Sequence, residues 1–132
     1  MAIEIVKADY NNDKHRADIP ALLNAYATDP MGGGQPLREE VKANLVNELA
    51  KLPHAFSVLA YVDGKAAGLC QLMLNKVEEI ALAKGCCKVT LEVLSNNIVA
   101  KSAYLKFGFA GYELDPKAGS ALFWQKTLSS KK

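Results

Sequence analysis

The spacing of apolar residues along the chain changes several times between a helical and a strand-like pattern. Apolar positions three or four residues apart predict amphipathic helices, and short alternating or β-branched runs predict strands. The helical pattern first appears after a cap at Asp18, on Ile19, Leu22, Leu23 and Tyr26, and returns over residues 37–52, 71–84 and 98–107. Strand-like runs occupy residues 3–7, 55–62, 65–70, 89–94, 110–114 and 121–128. This order predicts one mixed α/β (α+β) domain over residues 1–128, followed by a solvated tail at residues 129–132.

Glycine and proline mark the boundaries between these elements. Asp63-Gly64 is a strong signal for a hairpin turn, and Gly85 and Gly108 are placed as residues that end helices. Three consecutive glycines within residues 28–36 predict a mobile loop, because glycine restricts the backbone least. No strand precedes this loop and no Gly-Lys-Ser/Thr follows it, so it lacks the features of a phosphate-binding P-loop.

Residues 88–109 combine a predicted strand, a polar turn and a predicted helix. The turn offers capping side chains, and the backbone N–H groups of a helix that begins at a strand end form a favourable place for an anionic ligand. Glu92 lies in the predicted strand and Tyr104 lies two turns into the helix. A carboxylate that accepts a proton and a phenol that donates one suit a transfer reaction. The alternative is structural: the same pattern arises if Tyr104 only packs against other apolar residues and Glu92 only faces solvent.

This stretch resembles the second half of the cofactor-binding core of the GNAT family of N-acetyltransferases. The matching residues are Leu91, Glu92, Val93, Asn97, Ala100, Tyr104, Gly108 and Phe109. The resemblance implies that Tyr104 is the general acid toward the departing thiolate and that Glu92 is the general base. It also implies that Asn97, Ala100 and Tyr104 contact acetyl-CoA, and that residues 29–36 border the groove of the acceptor.

One part of the family pattern is missing from the chain. The family places a fourth strand and an R/Q-x-x-G-x-G/A loop, which holds the cofactor pyrophosphate, before its third helix. Here Gly68-Leu69-Cys70 runs directly into Gln71. The resemblance therefore implies a GNAT-like, mostly antiparallel sheet flanked by four helices and lacking one central strand, as after an internal deletion. The implied transfer of an acetyl group from acetyl-CoA to an amine is expected to be weakened or lost, and the alternative is a non-catalytic binding or assembly module.

The missing strand also bears on assembly. An unpaired strand edge inside a sheet is costly, so either the strands at residues 65–70 and 89–94 pair directly or a second copy supplies the edge. A direct pairing would make a right-handed βαβ unit. We predict a homodimer, with exchange of elements between the two copies as one way to form it.

Composition narrows the remaining classes of function. Half of the 132 residues are hydrophobic, 23% are charged and the net charge is +2, with lysines scattered among acids rather than clustered as in nucleic-acid-binding proteins. No apolar run has the length of a membrane span and no signal-peptide pattern is present, which predicts a cytoplasmic protein without a membrane partner. Cys70, Cys86 and Cys87 have no zinc-site spacing, and we predict no metal and buried, inert thiols.

Overall fold

The computed structural model describes residues 1–67 and 70–128. Its strands and helices are, in chain order, β1 (Ile3–Lys7), α1 (Asp13–Thr28), α2 (Glu39–Ala50), β2 (Val58–Val62), β3 (Lys65–Ala67), α3 (Cys70–Ala83) and α4 (Ile98–Phe107). Two short 3-10 turns lie at Pro30–Gly32 and Pro116–Ala118. The four helices and the mixed α/β class predicted from the sequence are confirmed. The predicted tail at residues 129–132 and the last part of the predicted strand at residues 65–70 include positions outside the described residues.

The strands form a three-stranded antiparallel sheet in the order β1-β2-β3. Ile5 pairs with Ala60 in the first ladder, and Tyr61 pairs with Ala66 in the second. The predicted hairpin turn at Asp63-Gly64 is confirmed, with φ of 49° and 76° at its two residues. Two positive φ values in a two-residue loop match the right-handed twist of the strands, and this explains why the pair fixes the register.

The hydrophobic core lies where α1 and α2 cover β2. Its buried residues are Ile19, Val46, Leu59, Ala60 and Tyr61. Val6, Leu22, Leu45 and Leu49 pack against these residues. None of the residues described between 71 and 128 is buried, so the core is confined to the N-terminal half of the domain.

Helix α1 begins at Asp13, six residues earlier than the start at Ile19 that a cap at Asp18 predicted. Asn12 is the N-cap, and its side chain accepts a hydrogen bond from the backbone N–H of His15 at 3.1 Å. Pro20 therefore lies inside the helix, where it removes one helical hydrogen bond. The Asp18 carboxylate instead accepts a hydrogen bond from the Tyr61 hydroxyl at 2.8 Å and lies 3.3 Å from the Lys14 ammonium. Its function is thus to join α1 to the sheet.

The contact between Tyr61 and Asp18 should make the stability of the fold depend on pH in the alkaline range. Burial, and then the hydrogen bond to Asp18, raises the pKa of Tyr61 to about 12. The folded protein favours the neutral phenol, so the resulting stability is complete below the ordinary tyrosine pKa of about 10 and is lost as the pH rises toward 12. Urea titrations between pH 9 and pH 12 are expected to show the wild type losing about 2 kcal/mol more of its free energy of unfolding than Tyr61→Phe loses. Tyr26→Phe, at an exposed tyrosine, is the control and should follow the wild type. Parallel curves for the wild type and Tyr61→Phe would refute the assignment.

The loop predicted at residues 28–36 contains a hydrogen-bonded turn. The Asp29 carbonyl accepts hydrogen bonds from the N–H groups of Gly32 and Gly34, at 2.8 and 2.9 Å, and the Asp29 carboxylate accepts one from Met31 at 2.8 Å. Gln35 donates to the carbonyl of Ala27 at 3.1 Å, which fixes the far end of the segment. Here the glycines allow close packing against the end of α1.

The three predicted strands at residues 89–94, 110–114 and 121–128 do not form in the described structure. Residues 89–92 still alternate between partly buried and exposed side chains, as a strand would. In the described part of the chain, however, no neighbouring strand hydrogen-bonds to this segment, and it does not join β3 as a βαβ unit. The sequence pattern was correct about the faces of the segment, but a strand also requires a partner for its backbone groups.

Candidate functional site

Helix α4 has the bounds that the sequence predicts, and local chemistry explains both ends. The Asn97 side chain is the N-cap and accepts a hydrogen bond from the backbone N–H of Ala100 at 3.3 Å. Gly108 ends the helix with φ of 110°, a conformation that costs glycine little. The N–H of Phe109 then donates to the carbonyl of Tyr104 at 3.0 Å, so the chain turns back along the helix.

This turn opens a cleft of about 710 Å³ between α4 and the extended segments on either side of it. Residues 88–91 and Val93 form one wall, Lys101, Tyr104 and Leu105 of α4 form the second, and residues 108–112 form the third. The Tyr104 ring contacts the Phe109 ring edge-to-face, with 5.8 Å between their centroids. This contact positions the tyrosine side chain within the cleft.

The predicted site residues divide between the cleft and its surroundings. Tyr104 lines the cleft, whereas Glu92 is exposed and is not among the residues that line it. Asn97 caps the N-terminus of α4 through its amide oxygen, and Ala100 lies in the first turn of the helix. The structure therefore brings Asn97, Ala100 and Tyr104 together on one helix, with Glu92 on the segment that precedes it.

Two lysines of the cleft were missed by the sequence reasoning. Lys88 and Lys101 are the charged residues that line it in the described structure. The Lys101 ammonium donates to the carbonyl of Ser95 at 3.2 Å, and the Lys88 ammonium lies 5.4 Å from the centre of the Tyr112 ring. A signal was present, since Lys101 precedes Tyr104 by three positions and such residues share a helix face. Because both charges are positive, the cleft favours an anionic ligand.

A smaller cleft of about 250 Å³ lies between α3 and the residues that follow α4. Cys86 and Cys87 line it, and both are exposed free thiols, so the prediction that they are buried is wrong. They follow Gly85, just beyond the end of α3, in a segment that forms no helix or strand. Within residues 1–67 and 70–128, no group of three or more His, Cys, Asp or Glu side chains is placed to hold a metal ion.

The fold matches those of solved acetyltransferase structures. AAC(6')-Iy, solved with the bisubstrate analogue CoA-S-monomethyl-acetylneamine, superposes with a TM-score of 0.70 at 14% identity, over 97% of this chain and 100% of that one. The aminoglycoside 6'-N-acetyltransferase AAC(6')-Ih from Acinetobacter baumannii gives 0.67 at 14% identity, with the same coverage. A GNAT-family acetyltransferase from Streptococcus pneumoniae gives 0.60 at 23% identity, over 83% of this chain and 85% of that one. The molecule therefore has the architecture of these transferases.

The sequence comparison agrees with the fold. Residues 65–109 match the model of the acetyltransferase (GNAT) family, a range that includes β3, α3, α4 and most of the larger cleft. The predicted resemblance to the GNAT family is confirmed: the chain is GNAT-like in sequence over this range and in fold over nearly its whole length. No curated protein sequence matches the chain. No helix of the described residues is both long enough and apolar enough to cross a membrane.

Proposed function

We propose that the protein binds acetyl-CoA and transfers its acetyl group to an amine. The observation that carries this proposal is the cleft beside α4, because it holds Tyr104 and lies largely within the range that matches the GNAT family. The solved relative AAC(6')-Iy carries a CoA bisubstrate analogue, which supports the same class of ligand for this chain.

The residues of the cleft fit a ligand of this chemistry. Lys88 and Lys101 supply positive charge for phosphate groups, and Val89, Leu91 and Leu105 supply an apolar wall for an extended arm. The two lysines would take over part of the task that the absent R/Q-x-x-G-x-G/A loop performs in the family. Because ammonium groups hold phosphate without the fixed geometry of a backbone loop, we expect the cofactor to bind more weakly than it does to a family member that has the loop.

In the proposed reaction, the amine nitrogen of the acceptor attacks the thioester carbonyl carbon. The C–N bond forms and the C–S bond breaks. The Tyr104 hydroxyl donates a proton to the departing thiolate. Glu92 does not line the cleft, so the proton that the amine loses would reach the Glu92 carboxylate through water. Transfer of the acetyl group to the acceptor completes the step, and proton exchange with solvent restores both side chains.

A non-catalytic binding or assembly module is the second candidate. The observation in its favour is that β3 ends at Ala67 and α3 begins at Cys70, which leaves two residues where the family has a strand and a phosphate loop. Such a module would retain the fold and the apolar surfaces without turnover. For either candidate we propose a cytoplasmic location, since the exposed thiols of Cys86 and Cys87 suit a reducing compartment.

Calorimetric titration with acetyl-CoA tests the proposal. We expect the wild type to bind more tightly than about 100 μM, equivalent to roughly −5.5 kcal/mol. The double variant Lys88→Ala/Lys101→Ala is expected to bind at least about tenfold more weakly, because each ammonium removed costs a charge-assisted contact.

The matched control is Lys84→Ala/Lys117→Ala, which removes the same charge from lysines that do not line the larger cleft. Equal weakening by both double variants would show that overall charge, and not the cleft, attracts the cofactor. The absence of measurable heat at millimolar acetyl-CoA would exclude the transferase and leave the binding module.

A further inference from the structure

The chain exposes far more surface than a folded monomer of its size. Its accessible surface is 10510 Å². A monomeric protein of 14.3 kDa is expected to expose about 6,800 Å². The excess of about 3,700 Å² is more than the roughly 800 Å² that each partner contributes to a standard interface, and it reaches the range of obligate dimers. The area available thus exceeds what a stable dimer needs.

Two parts of the C-terminal half contribute large exposed apolar side chains to this surface. The first, here called the α4 face, consists of the exposed side chains of Leu94, Ile98, Val99 and Leu105. The second, here called the terminal segment, is residues 121–128, in which Leu122, Phe123, Trp124 and Leu128 are all exposed. A helix that is apolar on most of its sides is ordinarily buried, yet α4 contains no buried residue.

The terminal segment has the composition of a strand without a ladder. Six of its eight residues are apolar, aromatic or β-branched, in the run ALFWQKTL. Within the described residues it forms no strand and takes part in no sheet. Neither its backbone nor its side chains therefore have a partner surface among the residues that the structure describes in one chain.

We propose that two copies of this chain cover each other, with the terminal segment of each copy lying on the α4 face of the other. Each copy carries both an uncovered α4 face and an uncovered terminal segment. A two-fold symmetric dimer therefore covers both faces and both segments at once. A different protein would have to supply a matching pair of surfaces to do the same. Leu105 belongs to the α4 face and also lines the larger cleft, so the partner's segment borders the cleft that contains Tyr104.

Light scattering after size-exclusion chromatography tests the assembly. At tens of micromolar we expect a mass about twice the 14.3 kDa of the chain. Val99 lies on α4 and is 82% exposed in one chain. In the Val99→Glu variant, we expect the dimer to dissociate already at a protein concentration at least tenfold higher than that at which the wild-type dimer dissociates. Leu122→Glu changes the terminal segment in the same way, at a position outside the helices and strands of the described structure, so no regular element is disrupted. Leu52→Glu, the same change at an exposed leucine outside both surfaces, should leave the dimer intact.

Trp124 is the single tryptophan and reports on the terminal segment directly. It is 87% exposed in one chain, so dimer formation is expected to shift its emission to the blue and to protect it from iodide, and dilution should reverse both effects. These measurements need no activity, so they stand whether or not acetyl-CoA binds. A monomer at these concentrations, polydisperse aggregates, or a dimer that Val99→Glu and Leu122→Glu leave unchanged would each overturn the proposal.

Discussion

Replacement of Tyr104 by Phe is expected to lower the turnover number for acetyl transfer by about 10²- to 10⁴-fold, the usual contribution of a positioned general acid. The change removes the hydroxyl and retains the ring, so the edge-to-face contact with Phe109 is preserved. We therefore expect the Michaelis constant for acetyl-CoA to stay nearly unchanged. Steady-state kinetics near neutral pH, with a panel of amine acceptors, measures both parameters.

A second tyrosine variant separates the loss of an acid from a general effect of the substitution. Tyr26→Phe removes a hydroxyl from an exposed position on α1, away from the cleft, and should leave the turnover number at the wild-type value. If Tyr104→Phe turns over as fast as the wild type, the thiolate receives its proton from water or another group, and Tyr104 only packs in the cleft. A rise in the Michaelis constant at constant turnover would indicate a binding role instead.

The elements that the sequence predicts best are those whose signals are local. Helix α4 begins after Asn97 and ends before Gly108 because a capping amide and a residue with positive φ act within one turn of the helix. The hairpin at Asp63-Gly64 follows from two residues in the same way. In each case the energies that fix the boundary come from neighbours in sequence, so no knowledge of the tertiary structure is needed.

The predictions that fail are those that depend on distant partners. Asp18 has the chemistry of a helix cap, but Asn12 takes that position and Asp18 bonds to Tyr61, which lies 43 residues away. Residues 89–94 have the apolar pattern of a strand, but pairing requires a neighbour that the described structure does not supply. A pattern of side chains reports the preference of a segment, whereas a ladder is a property of two segments.

The candidate site shows the same division. Tyr104 was identified through its position in a pattern of residues, and the helix that carries it was predicted correctly. Lys88 and Lys101 were overlooked because scattered lysines look solvated in a sequence. Only the return of the chain after Gly108 places residues 108–112 opposite residues 88–91 and forms the cleft that Lys88 and Lys101 line. The charge of the cleft is therefore a consequence of the tertiary fold.

Replacement of Gly32 by Ala is expected to lower the free energy of unfolding by about 2–4 kcal/mol, through overpacking and lost hydrogen bonds. A Cβ at this position would lie 1.9 Å from the carbonyl oxygen of Tyr26 and 3.2 Å from the Cα of Ala27. Both are backbone atoms at the end of α1, so no side-chain rotation relieves the contact. The turn must move away from the helix, and the 2.8 Å bond from the Gly32 N–H to Asp29 is strained or lost. Urea unfolding followed by far-ultraviolet circular dichroism measures the difference.

Gly111→Ala is the matched control, because Gly111 does not have a positive φ and a Cβ there would have no neighbour within 4 Å. We expect it to remain within about 0.5 kcal/mol of the wild type. Alanine at Gly33 or Gly34 would also destabilise the fold, but for a different reason. These residues have φ of 118° and 73°, so alanine would be strained in its backbone conformation rather than by a close contact. A stability of Gly32→Ala equal to that of Gly111→Ala would mean that the turn adapts freely. In that case the close contact with α1 contributes little, and the loop is as mobile as its three glycines suggest.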